Sequence, residues 1–396
     1  MAMIVQKYGG SSVADKDHII NVARRVAERK KKGDDMAVVV SAMANTTDNL
    51  IKLALDLDKN PPEREFDMLL TAGERISMAL LSIAIQKFGL RAVSFTGSQS
   101  GIITDDDHTR ARIIDVRPTR IIETINSGAI AIVAGFQGVS GKKEVTTLGR
   151  GGSDTTAVAL GVALGAEICE IYTDVKGVFS ADPKKIESAR QIDKLTFEEA
   201  LDLAYFGANV VHSRAVELAR VSKMPLIIAS SLLNKKGTLI MEKIQGMERP
   251  RFVGLSRRDD ICLCNVELDD YKLVSELMES IEKGRMRIGF PRIRKIQNAW
   301  SVNFWAEEKD LERLKILKTK FGIEIDSNVC LMGLVGEEIA QRPGVIAELL
   351  VFLEKIGVRP FLIESSQVSI AMIMQNSCGT EIEKAIHDRF IRGEAF

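Results

Sequence analysis

The sequence predicts an α/β protein: an open, mostly parallel sheet with helices on both faces, followed by two ferredoxin-like βαββαβ units. Three observations carry that prediction. Through about the first 230 residues, short runs that are mostly apolar alternate with amphipathic helical patterns, as in a parallel sheet buried on both faces. Two glycine-rich loops sit where a strand hands over to a helix: Lys7-Tyr8-Gly9-Gly10-Ser11-Ser12 and Gly149-Arg150-Gly151-Gly152-Ser153-Asp154. Beyond about residue 250 the pattern changes to β-α-β-β-α-β and occurs twice.

Taken in order, the apolar runs predict strands at Met3–Gln6, Met36–Ser41, Ala92–Thr96, Ala129–Ala134, Ile168–Thr173 and Leu226–Ser230. Between Asp56 and Glu65, Pro61-Pro62 marks a loop joining two helices. Pro118 stands at the first position of a helix running to Ile125, where a missing N–H costs nothing. Thr155 to Gly165 reads as the helix after the second glycine loop. Thr196 with Glu199 forms a capping box ahead of the apolar positions Ala200, Leu201, Leu203 and Ala204.

Composition shifts between Asn234 and Arg251, where glycine, lysine and proline mark a linker. The first α+β unit then has strands near Ile261–Val266, Ile293–Ile296 and Trp300–Trp305, with helices at Tyr271–Lys283 and Lys309–Phe321. The second has strands near Val329–Val335, Arg359–Glu364 and Val368–Met374, with helices at Val345–Ile356 and Glu381–Phe390. The expected domains are therefore 1–245, 246–326 and 327–396.

Composition narrows the function classes. The chain has 396 residues, 45% of them hydrophobic, enough for a sizeable core. Its 54 basic residues balance 54 acidic ones, and only 5% of residues are aromatic, so neither a nucleic-acid partner nor an anionic membrane surface is expected. Cys169, Cys262, Cys264, Cys330 and Cys378 are scattered without a CxxC pair and read as reduced core thiols. His18, His108, His212 and His387 make no cluster with ligand spacing, so no protein-held metal is expected. The N-terminus enters the Lys7 loop almost at once and no apolar run reaches the ~20 residues that span a bilayer, giving the expectation of a soluble, cytoplasmic protein.

The glycine loops carry the chemistry. Glycine lets a backbone approach a ligand closely, and amides at a helix N-terminus favour anions. Each loop brings a cation, Lys7 or Arg150. Two such cradles fit an enzyme that holds a phosphate chain at one and a second negative group at the other. The only near approach to a Walker A loop, Gly138-Val139-Ser140-Gly141-Lys142, has the wrong spacing and context.

Six ordered motifs resemble those of the aspartokinases, members of the amino-acid kinase fold with C-terminal ACT domains. They are Lys7 to Val13; Ser41-Ala42-Met43 with Thr46-Thr47-Asp48; Leu70 to Ser77; Phe95-Thr96-Gly97; Thr146 to Ala157; and Tyr172 to Val178 with Ala181-Asp182-Pro183. The resemblance covers residues 1 to about 240 and implies phosphorylation of the β-carboxylate of L-aspartate by ATP, with Mg²⁺ arriving on the nucleotide. It implies that Lys7 sits against the moving phosphoryl group, Gly9 and Gly10 cradle its oxygens, and Asp154 holds Lys7. Ser41, Thr47, Glu74, Arg150 and Ser153 would hold aspartate, with Arg150 gripping a carboxylate and Glu74 receiving the α-ammonium. Ser11, Thr173, Asp174, Gly177, Val178 and Asp182 would hold the nucleotide.

Two departures from the family pattern stand out. Gly207-Ala208-Asn209-Val210-Val211-His212 has Asn209 where the family has lysine, so either Lys184 or Lys185 substitutes or ATP binds more weakly. In the second ACT-like unit, Gln341-Arg342-Pro343-Gly344-Val345 resembles the turn that opens an ACT helix, and Arg342, Gly344 and Val345 are candidates for a lysine or threonine effector. The first unit instead has Asp269-Asp270 at that place, against effector binding there. The ACT pair implies a homodimer. Alternative readings are a kinase for glutamate or N-acetylglutamate, and a catalytically impaired regulatory protein.

Overall fold

The structure, a computed structural model, describes residues 2–208, 210–233, 235–244, 251–337, 339, 343–377 and 379–393. The chain forms two compact units. The first comprises Met1–Phe179, Arg190–Ala204 and Asn209–Glu248; the second comprises Ser180–Ala189, Tyr205–Ala208 and Arg249–Phe396.

The first unit begins β1 (Met3–Tyr8), α1 (Lys16–Lys31), β2 (Asp35–Val40), α2 (Thr46–Leu57), α3 (Glu63–Leu70), α4 (Ala72–Gln86) and β3 (Ala92–Phe95). It continues through β4 (Ile102–Thr104), β5 (Ile113–Val116), α5 (Thr119–Asn126), β6 (Ile130–Ala134), β7 (Gln137–Ser140), β8 (Val145–Thr147) and α6 (Gly152–Ala163). Then come β9 (Ile168–Thr173), β10 (Lys194–Thr196), α7 (Phe197–Tyr205), α8 (Ser213–Ser222), β11 (Leu226–Ser230) and β12 (Thr238–Met241). An eight-stranded sheet has the order β10-β12-β11-β9-β1-β2-β6-β3. It is parallel except where β12 runs against β11.

All six predicted strands lie in this sheet. β1 is flanked by β2 on one side and β9 on the other, so the strand order reverses beside it. That reversal opens a crevice at the carboxyl ends of the strands, the place where open α/β sheets take ligands. On one face Val22, Ala23 and Val26 of α1 and Leu81 and Ile85 of α4 pack over Val38, Val40, Ile130 and Ile132. α6 is buried from Gly152 through Gly161, as its apolar run Ala157 to Leu160 requires.

Several local features differ from expectation. Pro118 is the N-cap of α5 rather than its first helical residue. The loop around Pro61-Pro62 is shorter than predicted, because α2 continues to Leu57 and α3 starts at Glu63. A second, four-stranded sheet of order β5-β4-β7-β8 was not legible, since its strands are short and mixed in polarity. The helical stretch Glu63–Gln86 is 24 residues long with a mean hydropathy of 1.5 in its most apolar window, long and apolar enough by composition to cross a membrane. Over half of that window is buried within the protein, and the stretch carries Asp67 and Glu74 on its inner side, as a core helix would.

The second unit holds two four-stranded sheets. One, of order β15-β16-β14-β17, is built from β14 (Ile261–Leu268), β15 (Ile288–Ile296), β16 (Ala299–Glu307) and β17 (Glu324–Asp326). The helices α9 (Tyr271–Lys283) and α10 (Leu311–Phe321) complete its βαββαβ order. The other sheet contains β18 (Val329–Gly336), β19 (Leu362–Ser365) and β20 (Ser369–Gln375), with α11 (Pro343–Lys355) and α12 (Thr380–His387). Its fourth strand is β13 (Phe252–Arg258), which lies upstream of the whole first sheet and pairs antiparallel with β18. The pattern alone could not reveal this exchange, because it joins strands more than seventy residues apart.

The capping box is present as read: the Glu199 carboxylate accepts from the Thr196 amide at 2.8 Å, and the Thr196 hydroxyl accepts from the Glu199 amide at 3.2 Å. Thr196→Ala is expected to lower stability by about 1 kcal/mol, read as a lower urea midpoint at unchanged slope. An unchanged midpoint would show that the box contributes nothing.

Candidate active site

Lys7 is the penultimate residue of β1 and is buried, with 9% of its surface exposed. Its ammonium lies 2.6 Å from an oxygen of Asp154, in the first turn of α6. A buried charge is costly without a partner, so this ion pair joins the two glycine loops at the sheet's crevice.

The first loop is tightly constrained. The Gly9 amide donates to the Tyr172 carbonyl at 3.1 Å, so it is already engaged and is not a free phosphate donor. What Gly9 supplies is space: a Cβ there would stand 3.4 Å from the Lys7 ammonium. Gly10 heads the 3₁₀ turn Gly10–Val13, where the leading N–H groups have no partner within the turn. Its Cβ would fall 2.8 Å from the Ala42 carbonyl, which excludes any side chain. Ser11 is exposed in that turn, whereas Ser12 is buried and donates to Ser231 at 2.8 Å.

Ala42 leads to Glu74. One oxygen of this carboxylate accepts from the Ala42 amide at 3.1 Å; the other is buried without a hydrogen-bond partner among the described residues. Burial pushes its pKa up to about 7. An unpartnered buried acceptor of this kind suits an incoming cationic donor. The half-buried Ser41 stands beside it, its carbonyl accepting from the Ser77 hydroxyl at 2.7 Å. Thr47 lies in the first turn of α2.

The second loop projects a cation. Gly149 and Gly151 both have left-handed backbones, φ +74 and +68, on either side of the exposed Arg150. A Cβ on Gly151 would lie 2.0 Å from the His212 ring. Ser153 is buried against Gly135 at the N-terminus of α6.

The sequence profile of the amino acid kinase family matches residues 2–230. The aspartokinase of Mycobacterium bovis is 42% identical over 408 aligned positions, covering 98% of this chain and 96% of that protein. The chain belongs to the aspartokinase family. Two crystal structures of the E. coli family member aspartokinase III share the fold. Its complex with aspartate and ADP has a TM-score of 0.83 at 23% identity, covering 98% of this chain and all of that one. Its complex with lysine and aspartate has a TM-score of 0.77 at 24% identity, with 98% and 99% covered.

The residues that the aspartokinase resemblance assigns to the nucleotide are divided between the units. Thr173 ends β9 and donates to the exposed Asp174 at 2.9 Å. Gly177 and Val178 are pinned by the buried Thr238, whose hydroxyl accepts from the Val178 amide at 2.9 Å; a Cβ on Gly177 would stand 2.7 Å from that oxygen. Asp182 belongs to the second unit, where its carboxylate accepts from the Lys184 amide at 3.0 Å and closes a turn. Lys184 and Lys185 are exposed in the same segment, and Lys185 lies 3.7 Å from Asp259. Asn209 lies outside the described residues, as does Arg342.

Of the other effector candidates, Gly344 is exposed in the first turn of α11. The Val345 side chain is buried in the apolar core of its sheet, so packing accounts for it and it is unsuited to contact a polar ligand. In the first ACT-like sheet Asp270 caps α9, its carboxylate accepting from the Lys272 amide at 3.1 Å. The same carboxylate cannot also welcome an effector's carboxylate.

Sequence reasoning missed Asp67 and Arg214, and gave Thr147 no role of its own within the Thr146–Ala157 motif; the three brace the second loop from within. The contacts span 41 to 103 residues along the chain, and no local signal points to Asp67 or Arg214.

Glu74 generates a pH prediction. A ligand ammonium pairs with the ionised carboxylate, so below about pH 7 binding has to displace a proton. The KM for an α-amino-acid substrate is expected to rise as pH falls from 8 to 6, approaching tenfold per pH unit below the pKa. Glu74→Gln should give a high KM that is flat over this range. A flat wild-type profile would contradict this role.

Proposed function

We propose that this chain transfers the γ-phosphoryl group of ATP to the β-carboxylate of L-aspartate, giving 4-phospho-L-aspartate and ADP, the first step towards lysine, threonine and methionine. The observation that carries the reading is the buried Lys7–Asp154 pair between two glycine loops, with the unpartnered Glu74 carboxylate beside the first loop and Arg150 on the second.

The reaction needs charge neutralisation rather than a base. A β-carboxylate with an ordinary pKa of ~3.9 is ionised at neutral pH. One of its oxygens bonds to the γ-phosphorus as the bond from that phosphorus to the bridging oxygen breaks, and the electron pair leaves on ADP. Lys7 offsets the charge that gathers between two anions, and the leading amides of the Gly10 turn and of α6 add fixed dipoles. Glu74 receives the α-ammonium. Since the β-carboxylate faces the phosphoryl group, Arg150 takes the α-carboxylate in a forked grip. Ser41, Thr47 and Ser153 complete the aspartate site. Ser11, Thr173, Asp174, Gly177 and Val178 line the nucleotide side in this reading, with Asp182 supporting the turn that follows.

Among the described residues no three His, Cys, Asp or Glu side chains converge as a metal cage. In this reading a Mg²⁺ ion arrives on the nucleotide and is held chiefly by ATP oxygens and water. When bound, the ion supplies further neutralisation of the phosphate chain.

In this reading residues 1–245 are the catalytic domain and 246–326 and 327–396 are ACT-like regulatory units in a cytoplasmic homodimer. Exposed Ile293 and Ile296 on the edge strand β15 support an association surface. The lysine complex of the E. coli protein supports lysine as an effector.

The test is ADP release from MgATP with L-aspartate, L-glutamate and N-acetylglutamate offered separately. Turnover with aspartate alone is expected: Glu74 demands a free ammonium, which N-acetylglutamate lacks, and the aspartokinase relatives point to aspartate rather than glutamate. Turnover with glutamate or N-acetylglutamate in place of aspartate, or with none of the three in folded protein, would overturn the assignment.

A further inference from the structure

Arg150 is exposed, so the direction in which it projects depends on how its backbone stem is held. Two charged residues that the proposed chemistry does not use, the buried Asp67 and the half-buried Arg214, hold that stem. Asp67 on α3 is fully buried. Its carboxylate accepts from the Thr147 hydroxyl at 2.5 Å, from the Thr109 amide at 3.0 and 3.1 Å, and from the His108 ring at 2.7 Å. It thus ties the end of β8 to the loop before β5. Arg214 on α8 works from the other end: its guanidinium donates to the Leu148 and Ala111 carbonyls, both at 2.7 Å. Burial lowers its pKa, with the neighbouring charge of Arg112 adding to the effect.

Between these anchors the two segments are joined directly, the Ala111 amide donating to the Thr147 carbonyl at 2.8 Å. Gly149 packs so closely that a Cβ would stand 3.1 Å from the Thr109 carbonyl. The chain then turns through two left-handed glycines and presents Arg150. Burying a carboxylate on one side of a three-residue stem, and half-burying a guanidinium on the other, is costly unless each is hydrogen-bonded. Here each bonds both strands of the stem.

We propose that Asp67 and Arg214 are positioning residues that hold the Thr147–Gly149 stem so that Arg150 meets the carboxylate of the substrate. The inference rests on the reading of Arg150 as the carboxylate clamp. Asp67 acts on substrate affinity through Arg150 and not through the phosphoryl-transfer chemistry at Lys7.

A double-mutant cycle tests this on the full-length enzyme, with kcat and the KM values for aspartate and ATP measured for Asp67→Asn, Arg150→Ala and the pair. Arg150→Ala is expected to raise the KM for aspartate about 100-fold, and Asp67→Asn about tenfold, with the KM for ATP unchanged. The double variant should match Arg150→Ala alone, because a stem without its clamp has nothing left to aim. An unaffected KM in Arg150→Ala would overturn the reading of the clamp, and the positioning role with it. A strong Arg150→Ala effect with either no Asp67→Asn effect or two additive effects would overturn the positioning role alone. Should Asp67→Asn fold poorly, Thr147→Val and Arg214→Lys loosen the same stem more gently. Each is then expected to raise the KM for aspartate several-fold without changing that for ATP, and an unchanged value in both would equally overturn the proposal.

Discussion

One buried ion pair, Lys7 with Asp154, is the constraint on which the catalytic unit depends. Neither charge is stable in that crevice alone, because removing one would leave the other desolvated and unpaired. The pair therefore requires that the end of β1 and the first turn of α6 converge. The strand order does this by placing β1 where that order reverses, between β9 and β2. Once they converge, both glycine loops lie at the carboxyl ends of the strands, and the cation needed between two anionic reactants is already in place. Electrostatic preorganisation of this kind avoids reorganisation at the moment of transfer.

Close approach is the second theme. Gly10 abuts the Ala42 carbonyl, Gly151 abuts His212, and Gly135 makes room for Ser153. Each contact draws two loops together from different parts of the chain, so that charged groups scattered over the sequence meet. The same compactness leaves Glu74 buried with one unpartnered oxygen. Such a carboxylate is destabilising in the free protein, and its raised pKa expresses that cost. Binding an ammonium removes the cost, which turns a local penalty into selectivity for a free amine.

Much of this was legible in the sequence, and for identifiable reasons. The central strands of the main sheet are mostly apolar, because both of their faces are covered, and they stand out against the helical periodicity around them. The capping box at Thr196 and Glu199 is a local hydrogen-bond pair and could be read from spacing alone. The Lys7 and Arg150 loops were visible because glycine clusters with a cation are uncommon. What stayed hidden depends on long-range pairing. The strand β13 completes a sheet whose other members lie beyond an intervening unit. The short strands β4, β5, β7 and β8 carry too few residues for a periodic signal. Asp67 and Arg214 drew no attention, because their partners lie at least forty residues away along the chain. Gly9 was read as a phosphate donor, but its amide serves the strand pairing with Tyr172 instead.

The most direct measurement is the single-turnover rate of phosphoryl transfer from MgATP to aspartate in Lys7→Met, with circular dichroism establishing that the variant is folded. The account predicts a fall of about 100-fold or more at saturating substrates, the loss seen when a preorganised charge-stabilising group is removed. A folded Lys7→Met protein that transfers phosphoryl groups within a few-fold of the native rate would contradict it.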